Sequence, residues 1–136
     1  MNNMSIIVRF CRSFTERKLR EFDLTFGEQI IVMFISAHEN VNQDTISKTF
    51  MIDKGMVAKT LNKLEQKGYI MRRQNPDNKR ENIISLTQQG ADILIYMNTV
   101  LKELNDILYE GMSEEDIAHV TKLVEKMAEN VMKYLD

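Results

Sequence analysis

The chain has 136 residues and 15.9 kDa, with 43% hydrophobic and 28% charged side chains and a formal net charge of −2, the composition of one globular domain. Five glycines and one proline are too few for a sandwich of many tight turns. The longest apolar run, the six residues 30–35, falls short of the about 20 needed for a membrane span and the about 7 of a secretory core, and one cysteine, Cys11, makes no intrachain disulfide, so cytoplasm is the expected compartment.

Met4, Ile7, Val8, Cys11, Phe14, Leu19 and Phe22 recur at helical spacing and predict a first amphipathic helix over 4–22. Thr25-Phe26-Gly27-Glu28 has the capping-box spacing, so a second helix should open there and run to Ala37, buried along Ile30 to Ile35. Asn42 suits an N-cap for a third helix, Gln43 to Phe50, with Ile46 and Phe50 on its inner face. Asp53 caps a fourth. Ile52 and Val57 staple its start, Val57, Leu61 and Leu64 face inward, and Gly68 follows as the residue able to turn left-handed. Two short helices joined by a few residues, the second capped and basic, read as a helix-turn-helix.

The β-prone runs 69–73 and 83–86 flank Asn75-Pro76-Asp77-Asn78, whose Pro and Asp have type I turn chemistry. Lys79 and Arg80 stand at the rim of that loop. Thr87 caps a fifth helix to Tyr109, about 33 Å long. Leu94, Met97, Leu101, Leu104 and Leu108 form its stripe, beside a second line of Ile93, Val100 and Ile107. Ser113 caps a last helix carrying Ile117, Val120, Val124, Met127, Val131 and Tyr134. The predicted fold is mainly α with a small β-hairpin wing.

Charge divides along the chain. Residues 48–80 hold nine basic side chains against Asp53, Glu65 and Asp77, a net of +6 that leaves −8 elsewhere. Concentration of one sign suits a polyanion-facing module on an acidic body; an unpartnered charged surface is the plainer alternative.

The stretch from Asp53 to Ile70, Asn75-Pro76-Asp77-Asn78-Lys79-Arg80 and Leu86-Thr87-Gln88-Gln89-Gly90 together resemble the recognition helix, wing and L-T-x-x-G signature of the MarR (multiple antibiotic resistance) family of winged-helix transcriptional regulators. The resemblance covers about residues 4–135. It implies a single unit over 1–136 with a winged helix at 42–86, dimerisation helices at 4–22 and 88–135, a double-stranded DNA partner read as a homodimer on a pseudo-palindromic operator, and a small-molecule effector, with no membrane role. The function so implied is that of a ligand-responsive repressor. In that family an Asp usually stands where this chain has Asn78, so the geometry of the wing is less defined by the resemblance than its presence.

On the fourth helix Lys54, Gly55, Lys59 and Asn62 are the base-edge candidates, because the N-terminal part of a recognition helix reaches deepest into the major groove. Lys59, Lys63 and Lys67 form a self-repelling row that phosphates would relieve. Asn42 and Gln43 open the third helix, where amides and the dipole favour phosphate, and the resemblance places Arg80, beside Lys79, in the minor groove.

Other candidates read more plainly. Cys11 is in register with the apolar face and is expected to be a buried structural thiol rather than a redox sensor. His38 and His119 lack zinc-ligand spacing, so no metal is expected. Met97, Met112, Met127 and Met132 read as core filling, with an adaptable ligand pocket implied only by the resemblance. No serine lies in G-x-S-x-G and the glycines are too dispersed for a phosphate loop, so neither catalysis nor a cofactor is indicated. Against the DNA reader stands a winged-helix protein-interaction module, which salt-sensitive binding to duplex would disfavour.

Overall fold

The computed structural model describes residues 2–135 and divides into two compact units, Met1–Leu101 and Lys102–Asp136. The first contains helices α1 (Asn3–Lys18), α2 (Phe26–Ala37), α3 (Gln43–Phe50) and α4 (Lys54–Gln66), strands β1 (Ile70–Asn75) and β2 (Asn78–Leu86), and the start of α5 (Gln88–Leu108). The second holds the last turns of α5 and α6 (Glu114–Leu135). This is the mainly α winged-helix architecture expected, with one difference at each of two elements.

The first difference is in α1. It stops at Lys18 rather than running to Phe22, and Arg20–Phe22 tighten into a 3-10 turn. Leu19 leaves the helix with ψ of 10°, and Asp23 ends the turn left-handed at φ 52°. Leu19 and Phe22 are three apart, a spacing that α and 3-10 geometry share, so periodicity alone does not separate them. The break aims Leu19 and Leu24 into the core at 1% and 4% exposure.

Helix α2 opens on the complete capping box: Glu28 N–H donates to Thr25 Oγ1 at 3.3 Å, and Thr25 N–H donates to Glu28 Oε2 at 3.1 Å. Ile31, Val32 and Ile35 are buried, while Met33 and Phe34 pack half-buried at the margin of the same core. Asn42 caps α3 through Thr45 N–H, and Asp53 caps α4 through the N–H groups of Gly55 and Met56. Val57, Leu61 and Leu64 are fully buried against Ile46, each contributing about 1.5–3 kcal/mol of apolar burial.

The second difference is the hairpin. The strands meet across a two-residue turn, Pro76-Asp77, and β2 begins at Asn78, five residues before the apolar run that predicts it. Pairing slips between Gln74 and Asn75: Gln74 faces Asn82 while Asn75 faces Asn78, so residues 79–81 bulge from the ladder. Polar residues at 78–82 carry no alternation to announce a strand, but the turn chemistry and the bulge hold them in one. A further bridge joins Val41 to Ile84.

The chain passes from α4 to β1 through Gly68 at φ 81°. Tyr69 N–H donates to Leu64 O and Gly68 N–H to Glu65 O, a closure of the helix end that needs the left-handed residue. Helix α5 starts against this corner. Thr87 Oγ1 accepts from Gly90 N–H and donates to Gly68 O, and Thr87 N–H donates to Tyr69 O. A Cβ on Gly90 would lie 2.1 Å from Tyr69 O, so the helix approaches this closely only with glycine there. Ile93, Met97 and Val100 of α5 are buried.

In the second unit, Ser113 and Asp116 cap α6 reciprocally, Asp116 N–H to Ser113 Oγ at 3.1 Å and Ser113 N–H to Asp116 Oδ2 at 3.2 Å. Hydrogen bonding to Ser113, from its side chain first and its backbone N–H second, holds the Asp116 carboxyl below the usual aspartate range. Among the described residues no helix is long and apolar enough to cross a membrane.

Candidate nucleic-acid interface

The burial of Val57, Leu61 and Leu64 fixes the rotation of α4, and every outward position follows from it. Lys54, Gly55, Lys59, Asn62, Lys63 and Gln66 are exposed. Met56 is exposed as well, at 62%. It sits in the first turn of α4, off the inner stripe, where an exposed apolar side chain leaves no polar signal in the sequence. Among the described residues Lys59, Lys63, Lys79 and Arg80 enter no ion pair.

Lys54 is less free. Its ammonium lies 3.2 Å from Asp44 Oδ1, a contact between two exposed groups worth little in water. Gln43 Nε2 donates to Lys54 O at 3.1 Å, so the start of α3 grips the start of α4. Asn42 is fully engaged: its Oδ1 accepts from both Thr45 N–H and Thr45 Oγ1, and its Nδ2 donates to Glu81 Oε1. Glu81 Oε2 accepts from Asn75 Nδ2 at 3.0 Å. One carboxylate thus ties both strands of the wing to the cap of α3. Asn42, Gln43, Arg72, Arg80 and Glu81 line one hollow between these elements, and in this way the structure brings Asn42, Gln43 and Arg80 together.

Asn78 also has a defined task. Its Oδ1 accepts from Arg80 N–H at 3.1 Å, and Asn75 Oδ1 accepts from Asp77 N–H at 3.0 Å. An amide performs this local cap without a formal charge. Gln74 Nε2 donates to Lys79 O at 2.9 Å from the opposite strand. The backbone of Lys79 and Arg80 is therefore held while both side chains point to solvent.

Lys67 differs from its expected role, and Arg72 takes one that the sequence did not assign. Lys67 does not extend a phosphate row: its Nζ lies 2.8 Å from Glu28 Oε2, and Glu28 is 3% exposed. It also donates to Asp23 O. The ammonium neutralises a carboxylate that the capping box draws inside, so it belongs to the core. Arg72, by contrast, joins the outer surface of α4. Its Nη2 donates to Asn62 Oδ1 at 2.6 Å, and its Nε faces Glu65 Oε2 at 3.4 Å without a well-directed hydrogen bond. Its place on the same face of β1 as buried Ile70 concealed it in the sequence.

Cys11 is half-buried rather than buried, because the face of α1 that carries Met4, Ile7 and Val8 is itself exposed in this chain. Partial burial pushes the thiol up from its usual value, which favours its protonated form. Met97 is core, but Met112, Met127 and Met132 are 43–50% exposed and fill no core in the single chain. His38 stacks on Phe34 with ring centroids 4.2 Å apart, its Nδ1 2.9 Å from Phe34 O. Among the described residues no three His, Cys, Asp or Glu side chains cluster as metal ligands.

Residues 24–82 match the model of the MarR family. The chain is 35% identical over 86 residues to the HTH-type transcriptional regulator SarZ of Staphylococcus saprophyticus, a match covering 63% of this chain and 59% of that protein. It is 27% identical over 124 residues to the HTH-type transcriptional regulator BilQ of Clostridioides difficile, covering 85% of this chain and 82% of that one. A crystal structure of MarR superposes with a TM-score of 0.88 at 29% identity, covering 98% and 96% of the two chains. A Listeria monocytogenes MarR family structure complexed with 26mer DNA superposes at 0.89 with 22% identity, over 98% of this chain and 89% of that chain, a likeness of fold.

Proposed function

From a chain that belongs to the MarR family, we propose that this protein is a sequence-specific DNA-binding transcriptional regulator, a ligand-responsive repressor acting in the cytoplasm as a homodimer on a pseudo-palindromic operator. One observation carries the reading. Helix α4 is capped, locked by its buried face and clear of the core along Lys54, Gly55, Lys59, Asn62 and Lys63, beside a wing whose backbone is pinned while Lys79 and Arg80 stay free. Such a helix enters the major groove, with the wing arginine in the minor groove. Lysines on phosphates supply affinity and the groove contacts supply sequence preference.

Dimerisation accounts for the apolar side chains that a single chain leaves in water. On α1, Met4, Ile7 and Val8 are 44–55% exposed, and on α6, Leu123, Val124, Met127 and Val131 are 50–55% exposed. Soluble monomers rarely show such contiguous faces, and a twofold axis covers each with its own copy. An effector that prefers one spacing of the two reading heads would then shift DNA affinity by changing their populations.

Met51, 52% exposed at the end of α3, and Met56, 62% exposed in the first turn of α4, favour the second reading, a module that docks a protein. Titration of fluorescent duplex DNA distinguishes the two: binding that weakens steeply with salt supports the DNA reader, and no binding to specific or random duplex sinks it.

A further inference from the structure

We propose that Arg72 sets the base preference of Asn62 by fixing which way its amide faces. The inference rests on the DNA-binding reading of α4 and adds a residue outside that helix to the readout. An arginine side chain carries only donors, so the Asn62 atom that Nη2 meets at 2.6 Å is the amide oxygen by chemical necessity. The bond is short because its donor is charged. The guanidinium does not swing freely: its side chain is 22% exposed, and Glu65 Oε2 faces its Nε at 3.4 Å from the same helix that carries Asn62. Glu65 and Asn62 are three residues apart and share a flank of α4, and one planar fork spans both.

The consequence follows from the amide. A free asparagine pairs with adenine in the major groove by accepting from N6 and donating to N7 at once. With its oxygen held by Arg72, Asn62 presents its NH2 donors instead. It therefore favours a base edge that only accepts, guanine O6 and N7 or thymine O4, over adenine, whose N6 donor must share an oxygen that already accepts from Arg72 and faces its guanidinium. A residue on the wing thus determines a position contacted by the helix.

The test is selection of bound duplexes from a random pool by the full-length protein and its Asn62→Ala, Arg72→Met and Arg72→Lys variants at one salt concentration, with helicity checked by circular dichroism. Wild type should select guanine or thymine at a position whose preference Asn62→Ala abolishes. Arg72→Met should move that position toward adenine by about tenfold. Arg72→Lys, which keeps the charge but not the fork, should move it the same way and serves if the methionine variant does not fold. Adenine preferred by wild type at the position sensitive to Asn62, an unchanged preference in both Arg72 variants, or no position sensitive to Asn62→Ala each overturns the proposal. Salt-sensitive retention of DNA with any of those results defeats this inference alone, whereas failure of wild type to retain duplex defeats the DNA-binding reading with it.

Discussion

Single residues divide into those that build the proposed reader and those left free on its surface. Gly90 builds: a methyl group there would meet Tyr69 O at 2.1 Å, and backbone on both sides cannot yield cheaply. Gly90→Ala should lower stability by about 1–3 kcal/mol, seen as an earlier thermal midpoint by circular dichroism; an unchanged midpoint would contradict the close approach. Lys67 builds too, since Lys67→Ala leaves Glu28 buried without its cation, at a cost of about 3 kcal/mol. Lys59 and Arg80, exposed and outside the ion pairs among the described residues, are the proposed readers. Lys59→Ala and Arg80→Ala should each weaken duplex binding with helicity intact; affinities within about twofold of wild type at fixed salt would refute the groove assignment. The sequence separates Gly90, through its place after Thr87, from a surface glycine. It does not separate Lys67 from Lys59 and Lys63, because a helical row shows spacing and not the buried Glu28 waiting beside one end.

Elements were most legible where a cap and a periodic face agree. Thr25 with Glu28, Asn42, Asp53 and Ser113 each open the helix that follows them, because a side-chain oxygen satisfying an orphan N–H is a local event. Ends set by tertiary packing were less legible. Helix α1 yields at Leu19 to bring Leu19 and Leu24 inside, and the wing extends through five polar residues on a bulge that no alternation marks. The candidate interface follows the same division. The outward face of α4 came directly from its apolar stripe, whereas Arg72 reached it from the next strand, through a contact that sequence spacing does not encode. Within the wing, Asn78 uses only its carbonyl oxygen, to hold Arg80 N–H. Asn78→Asp keeps that acceptor and should change stability by no more than about 0.5 kcal/mol, measured by urea unfolding. A larger loss would mean that the amide NH2 has a task of its own.

At the scale of the whole molecule the chain couples a basic segment, +6 over residues 48–80, to an acidic remainder and leaves apolar faces on α1 and α6 uncovered. Leu104 is only 5% exposed in the single chain, so a charge there would disturb the protomer itself. Met127, 50% exposed, is the cleaner probe. Met127→Glu is harmless on a monomer but buries a charge in a dimer, at a cost of several kcal/mol (about 3 or more). Sedimentation should show a loss of dimer with folded protomers; a wild-type chain that sediments as a monomer at micromolar concentration would contradict the assembly. The central claim, that this chain holds duplex DNA through its basic segment, is tested most directly by measuring duplex affinity against salt. The account predicts a linear fall of log affinity with log salt, at about −0.9 per neutralised phosphate and near −5 for six contacts per dimer. An affinity that stays flat from low to moderate salt would contradict it.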